Sequence, residues 1–148
     1  MAVFRIARTA PLSPEVAWRR LTRWEAHAAR VPLTTITVTT PPPAGLGTTF
    51  VARTGLGPVS FDDVMRVVEW EPPSGSSAAG VVGRCRVEKR GRLVSGWSTI
   101  EVAPWDEGCR VAWSGEILLR ALPGVSFPVP AWLARWLYER ILQGLLER

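Results

Sequence analysis

The sequence contains few of the residues that build metal sites and disulfide scaffolds. Its 148 residues include two cysteines, Cys85 and Cys109, and a single histidine, His27. Two cysteines this far apart are too few for a disulfide framework or a zinc cage, and one histidine excludes a His-rich metal site. We therefore predict two free thiols in a reducing compartment, no metal and no cofactor.

Long apolar runs are also missing. No stretch approaches the roughly 20 uninterrupted apolar residues that a membrane helix needs. The first residues, MAVFRIARTAPLSPE, lack the long apolar segment and the cleavage site of a signal peptide. We therefore expect a cytoplasmic protein without integral membrane association. A hydrophobic content of 47% with 21% charged residues is typical of a globular chain, and the length fits one domain over residues 1–148.

The chain has one lysine, Lys89. The net charge of +5 therefore rests on arginines, which are scattered along the sequence. One basic cluster, formed by Arg84, Arg86, Lys89, Arg90 and Arg92, lies at a predicted strand–turn–strand. Nucleic-acid binding would need basic residues on one face with aromatic residues between them. We interpret the cluster as a solvated hairpin tip, in preference to a phosphate-binding patch, and expect no nucleic-acid partner.

Tryptophan, in contrast, is abundant, with eight residues spread along the chain. Large flat side chains supply apolar area and can line broad cavities. For any single tryptophan, filling a packed core is the alternative role.

The first third of the chain predicts one strand and two short helices. Residues 2–9 alternate in the manner of a strand. Ser13 is a natural N-cap, and Pro14 fits the first position of a helix. A second short helix through Trp24–Arg30 must then end before Pro32, which displaces the preceding residue from helical geometry.

From residue 33 the pattern changes to the period of two that is typical of strands. Six further strands are predicted, over residues 33–40, 48–54, 58–70, 81–88, 93–103 and 109–119. The segment ALPGVSFPVP predicts an irregular segment that leads into a long helix over residues 131–147. Short turns between consecutive strands favour an antiparallel meander, whose inner surface can bury the apolar face of the helix.

Four segments in this order resemble motifs of a known superfamily. They are PLSPEVAWRRLTRWEAHAARVP, AGLGTTF, VVEWEPP and APWDEGCRVAW. Together they resemble the SRPBCC superfamily of START-like proteins, which includes polyketide cyclases and lipid-transfer domains. The resemblance implies an α+β helix-grip fold: a seven-stranded curved antiparallel sheet, two short helices after the first strand, and a long C-terminal helix over the concave face. It also implies an apolar cavity between sheet and helix.

Alternation along the strands and helical spacing select the side chains that would line this cavity. The predicted ligand-binding residues are Phe50, Phe61, Asp63, Met65, Ser98, Ile100, Val111 and Trp113 from the sheet, and Leu133, Trp136, Leu137 and Ile141 from the helix. Three glycines on central strands, Gly83, Gly96 and Gly115, indicate empty space or, alternatively, bending of the sheet. The orientation of Trp97 stays open, because Gly96 could mark a bulge.

No catalytic residue is recognisable. Asp62 and Asp63 cannot act as a catalytic pair, because neighbours on a strand project to opposite faces; only Asp63 is expected to point inward. We interpret His27 as a surface residue. The thin set of polar groups favours binding or transport of a hydrophobic small molecule, such as a lipid, isoprenoid or polyketide. A cyclase or aromatase type of enzyme is the alternative. The ligand and the oligomeric state stay open, a homodimer being one alternative.

Overall fold

The computed structural model describes residues 3–73, 82–122 and 125–147 of the chain. Strand β1 (Val3–Ala10) leads into helix α1 (Pro14–Leu21). The Ser13 hydroxyl accepts a hydrogen bond from the Val16 N–H, as its predicted role of N-cap requires. The second short helix, Trp24–Arg30, is a 3₁₀ helix.

Within the described residues, seven more strands and one helix follow. The strands are β2 (Thr34–Val38), β3 (Thr49–Leu56), β4 (Val59–Glu71), β5 (Gly83–Arg90), β6 (Val94–Trp105), β7 (Gly108–Leu122) and β8 (Val125–Pro128), and the helix is α2 (Ala131–Leu146). The predicted α+β architecture is confirmed. Residue 81, the first of the predicted strand 81–88, lies outside the described residues.

The sheet is a single antiparallel meander in the order β1-β7-β6-β5-β4-β3-β2. An eighth strand replaces the irregular segment that we predicted before the helix, because β8 pairs with the end of β7, where Leu119 lies opposite Phe127. The seven predicted strands are present, and β8 is one more within the described residues. Val125 and Phe127 belong to residue types that strands favour, and Pro128 stands at the end of the strand, where it breaks no ladder.

Helix α2 packs against β1 and the 3₁₀ helix through a stripe that includes Ala134, Tyr138, Ile141 and Leu145, all of them buried. The Tyr138 ring stacks on Phe4 of β1 with 4.5 Å between centroids. No helix in the described ranges is both long enough and apolar enough to cross a membrane.

The prediction that Trp136 faces the sheet is wrong. Trp136 is 55% exposed, and the Arg140 guanidinium lies 5.3 Å from its ring centroid. Each helical residue turns about 100° from the last, so a residue two positions from both Ala134 and Tyr138 points away from their stripe. An amphipathic tryptophan covered by an arginine can occupy such a solvent-facing position.

Candidate functional site

A cavity of about 390 Å³ lies between the concave face of the sheet, the 3₁₀ helix and α2. Its walls come from every strand between β2 and β7, and most of the lining side chains are aromatic or aliphatic. Phe61 and Leu133 belong to this lining and are 41% and 40% exposed. We take these two side chains as the rim through which the cavity reaches solvent.

All but two of the predicted pocket residues line the cavity. Those present are Phe50, Phe61, Asp63, Met65, Ser98, Ile100, Trp113, Leu133, Leu137 and Ile141. Trp136 points outward, as described above. Val111 is fully buried in the packed core instead, because it lies two residues from Trp113 along β7, toward the end of the sheet that α1 contacts. Contact of any of these residues with a ligand stays a prediction.

Aromatic side chains run along the cavity in direct contact with each other. Trp24 stacks on Phe50 with 4.6 Å between centroids, and Trp113 meets Tyr138 edge to face at 4.7 Å. The indole Nε1 atoms of Trp24 and Trp113 are buried and have no hydrogen-bond partner among the described residues. Both N–H groups therefore lack the partner that buried N–H groups normally have.

The only lysine is buried at this cavity. The interpretation of the basic cluster as a solvated hairpin tip is therefore wrong for Lys89, whereas Arg90 and Arg92 at the turn are exposed. The Lys89 Nζ donates a hydrogen bond to Asp63 Oδ2 at 2.6 Å and lies 3.4 Å from Met65 Sδ. The two side chains of this ion pair are only 4% and 15% exposed. The alternation that buries Cys85 and Val87 on β5 carries Lys89 to the same face.

Lys89 is held as an ammonium ion. Burial lowers its pKa, but Tyr138 and the Asp63 carboxylate raise the pKa by more, so that it lies above the ordinary lysine value. A protonated lysine is a hydrogen-bond donor and a positive charge. It is not the free amine that forms imines with carbonyl compounds.

Asp63 retains an unused acceptor. Its Oδ2 receives the Lys89 hydrogen bond, whereas its Oδ1 is buried without a partner among the described residues. Leaving such an atom unpaired costs about 1–3 kcal/mol, and more for charged groups.

His27 is buried at the cavity wall, so our interpretation of it as a surface residue is wrong. Its Nε2 lies 2.6 Å from the Leu21 carbonyl oxygen. Because a carbonyl only accepts, Nε2 carries the proton and Nδ1 is left as an acceptor. Burial lowers the pKa of His27 to about 4, so the ring is neutral at neutral pH.

Two of the three central glycines, Gly83 and Gly115, do not mark empty space. A Cβ added to Gly83 would come within 2.9 Å of Trp18, and one added to Gly115 within 2.9 Å of Phe4. Neither glycine lines the cavity. Their role is to admit large side chains close to the sheet, which sequence spacing could not distinguish from a void.

Trp97 lies on the convex face of the sheet, which answers the question that the sequence left open. The Arg86 guanidinium lies 4.6 Å from its ring centroid. The pairing of β6 with β7 continues without a shift through Gly96, which has a φ of +127°. No bulge therefore turns Trp97 inward.

The two cysteines are free, buried and unreactive. Burial raises the pKa of the Cys85 thiol to about 12 and also raises that of Cys109. Thiols in this state are poor nucleophiles at neutral pH. Among the residues that the structure describes, no three or more His, Cys, Asp or Glu side chains are grouped to hold a metal ion.

A smaller pocket of about 280 Å³ adjoins the cavity and shares His27 and Ile141 with it. It is lined by Arg20 and Arg30, among other residues. Arg20 donates to the Leu146 carbonyl oxygen, and the Arg30 guanidinium lies 3.9 Å from the Glu147 carboxylate. These arginines satisfy the C-terminal end of α2, where positive charge is favourable.

The geometry defines a helix-grip protein with an internal apolar cavity. The family model described as polyketide cyclase/dehydrase and lipid transport matches residues 1–148, and the chain belongs to this family. The resemblance noted from the sequence motifs is thereby confirmed. A comparison with curated proteins finds no match.

Several solved structures share the fold at low sequence identity. The protein TTHA0849 from Thermus thermophilus is 19% identical with a TM-score of 0.67, over 98% of this chain and 94% of that one. CV1439 from Chromobacterium violaceum is 15% identical with a TM-score of 0.67, over 99% and 96%. Ara h 8.0201 is 11% identical with a TM-score of 0.59, over 99% and 98%. At these identities the likeness shows the fold alone.

Proposed function

We propose that the protein binds and carries a hydrophobic small molecule, of lipid, isoprenoid or polyketide type, between the sheet and α2. The observation that supports this is the cavity of about 390 Å³ with its aromatic and aliphatic lining. Pockets for small molecules commonly have volumes of about 300–1,000 Å³ and a few polar groups in an apolar wall. Transfer of a ligand from water into this lining is favourable by about 25 cal/mol per Å² of apolar surface buried.

Titration with the neutral fluorophore Nile red tests this proposal. We expect a single saturable site on the wild-type protein. Ala52 lines the cavity and Ala7 is exposed on β1, which gives a matched pair of substitutions. Ala52→Trp should weaken binding by about tenfold or more by filling the cavity, and Ala7→Trp should leave it unchanged. Absence of saturable binding to the wild-type protein would refute the proposal.

A cyclase-type enzyme is the second candidate, and the polar groups at the cavity support it. The Asp63 carboxylate and the neutral His27 ring are two candidate proton acceptors, and the Lys89 ammonium can polarise a carbonyl. In such a reaction a base removes a proton from carbon between two carbonyl groups. The resulting enolate carbon bonds to a second carbonyl carbon, whose oxygen takes up a proton.

One experiment distinguishes the carrier from the enzyme. The protein is incubated with a synthetic poly-β-ketone thioester, and the products are analysed by mass spectrometry and absorbance. An enzyme would give cyclised product that Asp63→Asn abolishes without loss of Nile red affinity. A carrier would return the thioester with the product pattern of a protein-free control. The cytoplasmic location and a homodimer also stay proposals, for cell fractionation and analytical ultracentrifugation to test.

A further inference from the structure

The ion pair inside the cavity is already balanced in charge, and this restricts which molecules the cavity can hold. Lys89 and Asp63 carry opposite charges with 2.6 Å between Nζ and Oδ2. Their side chains are almost fully removed from solvent, and both line the cavity. A bound molecule therefore meets a site with no net charge, although a lysine belongs to its lining.

A carboxylate ligand would upset this balance. To reach Lys89 it would have to share the ammonium with Asp63, placing two negative charges around one positive charge at a buried site. Removing a charge from water without a counter-ion of its own is costly. The lysine therefore cannot serve as the anchor for fatty acids that its charge alone would indicate.

A hydroxyl group fits the same place without that penalty. Asp63 lines the cavity with 15% of its side chain exposed. Among the described residues its carboxylate accepts one side-chain hydrogen bond, from Lys89, so lone pairs are left for an O–H donor.

We propose that the cavity selects uncharged apolar molecules bearing a hydroxyl group that donates to Asp63, and that it discriminates against carboxylates because Asp63 already neutralises Lys89. This inference rests on the proposed binding function and specifies its ligand class. Asp63 is here a specificity-determining residue, and Lys89 holds it in place.

Three ten-carbon probes test the inference: n-decanol, methyl nonyl ether and decanoate, each measured by displacement of Nile red at about pH 8, where the carboxyl group is ionised. The ether accepts hydrogen bonds but cannot donate them. We expect wild-type protein to bind n-decanol about tenfold more tightly than the ether, which is the effect of one charge-assisted hydrogen bond. Decanoate should bind most weakly of the three.

Substitution of the carboxylate distinguishes this charge effect from the general preference of apolar cavities for neutral molecules. Asp63→Asn leaves Lys89 without its counter-ion, so decanoate affinity should rise about tenfold. Asp62→Asn, which alters the exposed neighbour on the opposite face, is the matched control and should change no affinity. Circular dichroism establishes that each variant is folded.

Equal affinity of the wild-type protein for n-decanol and the ether would overturn the inference, even where Asp63→Asn fails to fold. Decanoate affinity that does not rise in folded Asp63→Asn would overturn it as well. In both cases displacement of Nile red by n-decanol would leave the binding function standing. Failure of Nile red itself to bind would refute the binding function and the inference with it.

Discussion

Two ion pairs on strand β4 begin at adjacent residues and occupy opposite sides of the sheet. Asp62 pairs with Arg53 on the convex face at 2.9 Å, with side chains 43% and 64% exposed. Asp63 pairs with Lys89 on the concave face at 2.6 Å, with side chains 15% and 4% exposed. One step of strand alternation therefore separates a solvated pair from a desolvated one.

The difference shows that an ion pair has no fixed energetic meaning. On the convex face, water solvates both charges whether or not they touch, so their pairing adds little. On the concave face each charge depends on the other, because water no longer replaces a missing partner. Only the concave pair can therefore influence what enters the cavity.

The largest expected effect comes from breaking the buried pair. Lys89→Met leaves the Asp63 carboxylate without its counter-ion, and Asp63→Leu leaves the ammonium alone. Each single substitution should lower the free energy of unfolding by about 3–5 kcal/mol. Chemical denaturation followed by tryptophan fluorescence measures this loss.

The double variant with Lys89→Met and Asp63→Leu is the control for that prediction. It removes both charges together, and it should recover most of the stability that either single variant loses. Additive losses in the double variant would contradict the view that mutual dependence of the two charges is the dominant factor.

A titratable group on the concave side gives the next largest effect. Burial lowers the pKa of His27 from 6.5 to about 4, so the unfolded chain takes up a proton at a higher pH than the folded protein does. Stability from the neutral ring is complete above about pH 6.5 and is lost as the pH falls toward 4. The free energy of unfolding should therefore fall by about 3 kcal/mol over this pH range.

Denaturation of the wild-type protein and of His27→Gln across this pH range checks the prediction. Glutamine keeps a donor for the Leu21 carbonyl oxygen but does not titrate. The difference in unfolding free energy between the two proteins should therefore shrink or reverse between pH 6.5 and pH 4. A difference that stays constant with pH would show that the ring does not remain neutral in the folded protein.

Sequence reasoning predicted the architecture because it depends on patterns that single elements carry. Alternation predicted that Asp62 and Asp63 project to opposite faces, and the structure confirms it. The same alternation, followed along β5 through Cys85 and Val87, would have carried Lys89 inward. Its charge and the nearby turn led us instead to a solvated tip. The signal was present, but residue type was given more weight than position.

Other features of the site depend on contacts between distant segments, which no local pattern contains. Burial of His27 requires the 3₁₀ helix, α2 and Trp113 of β7 to close around it. Trp136 was assigned inward because a large apolar side chain satisfied the helical spacing, whereas the buried stripe includes Tyr138. Glycine spacing likewise could not reveal that Phe4 and Trp18 occupy the space that Gly115 and Gly83 leave.

The smallest effect is expected on the convex face. Arg53→Ala or Asp62→Ala removes one member of a pair whose side chains both lie largely in water, so each should change the unfolding free energy by about 1 kcal/mol or less. Added salt should reduce even this, because exposed charges are screened, while the loss caused by Lys89→Met should depend much less on salt. Chemical denaturation of these variants at low and at high ionic strength measures the stability losses and their dependence on salt. A large, salt-resistant loss in Arg53→Ala would mean that the convex pair is also desolvated, and that accessibility alone does not separate the two faces of β4.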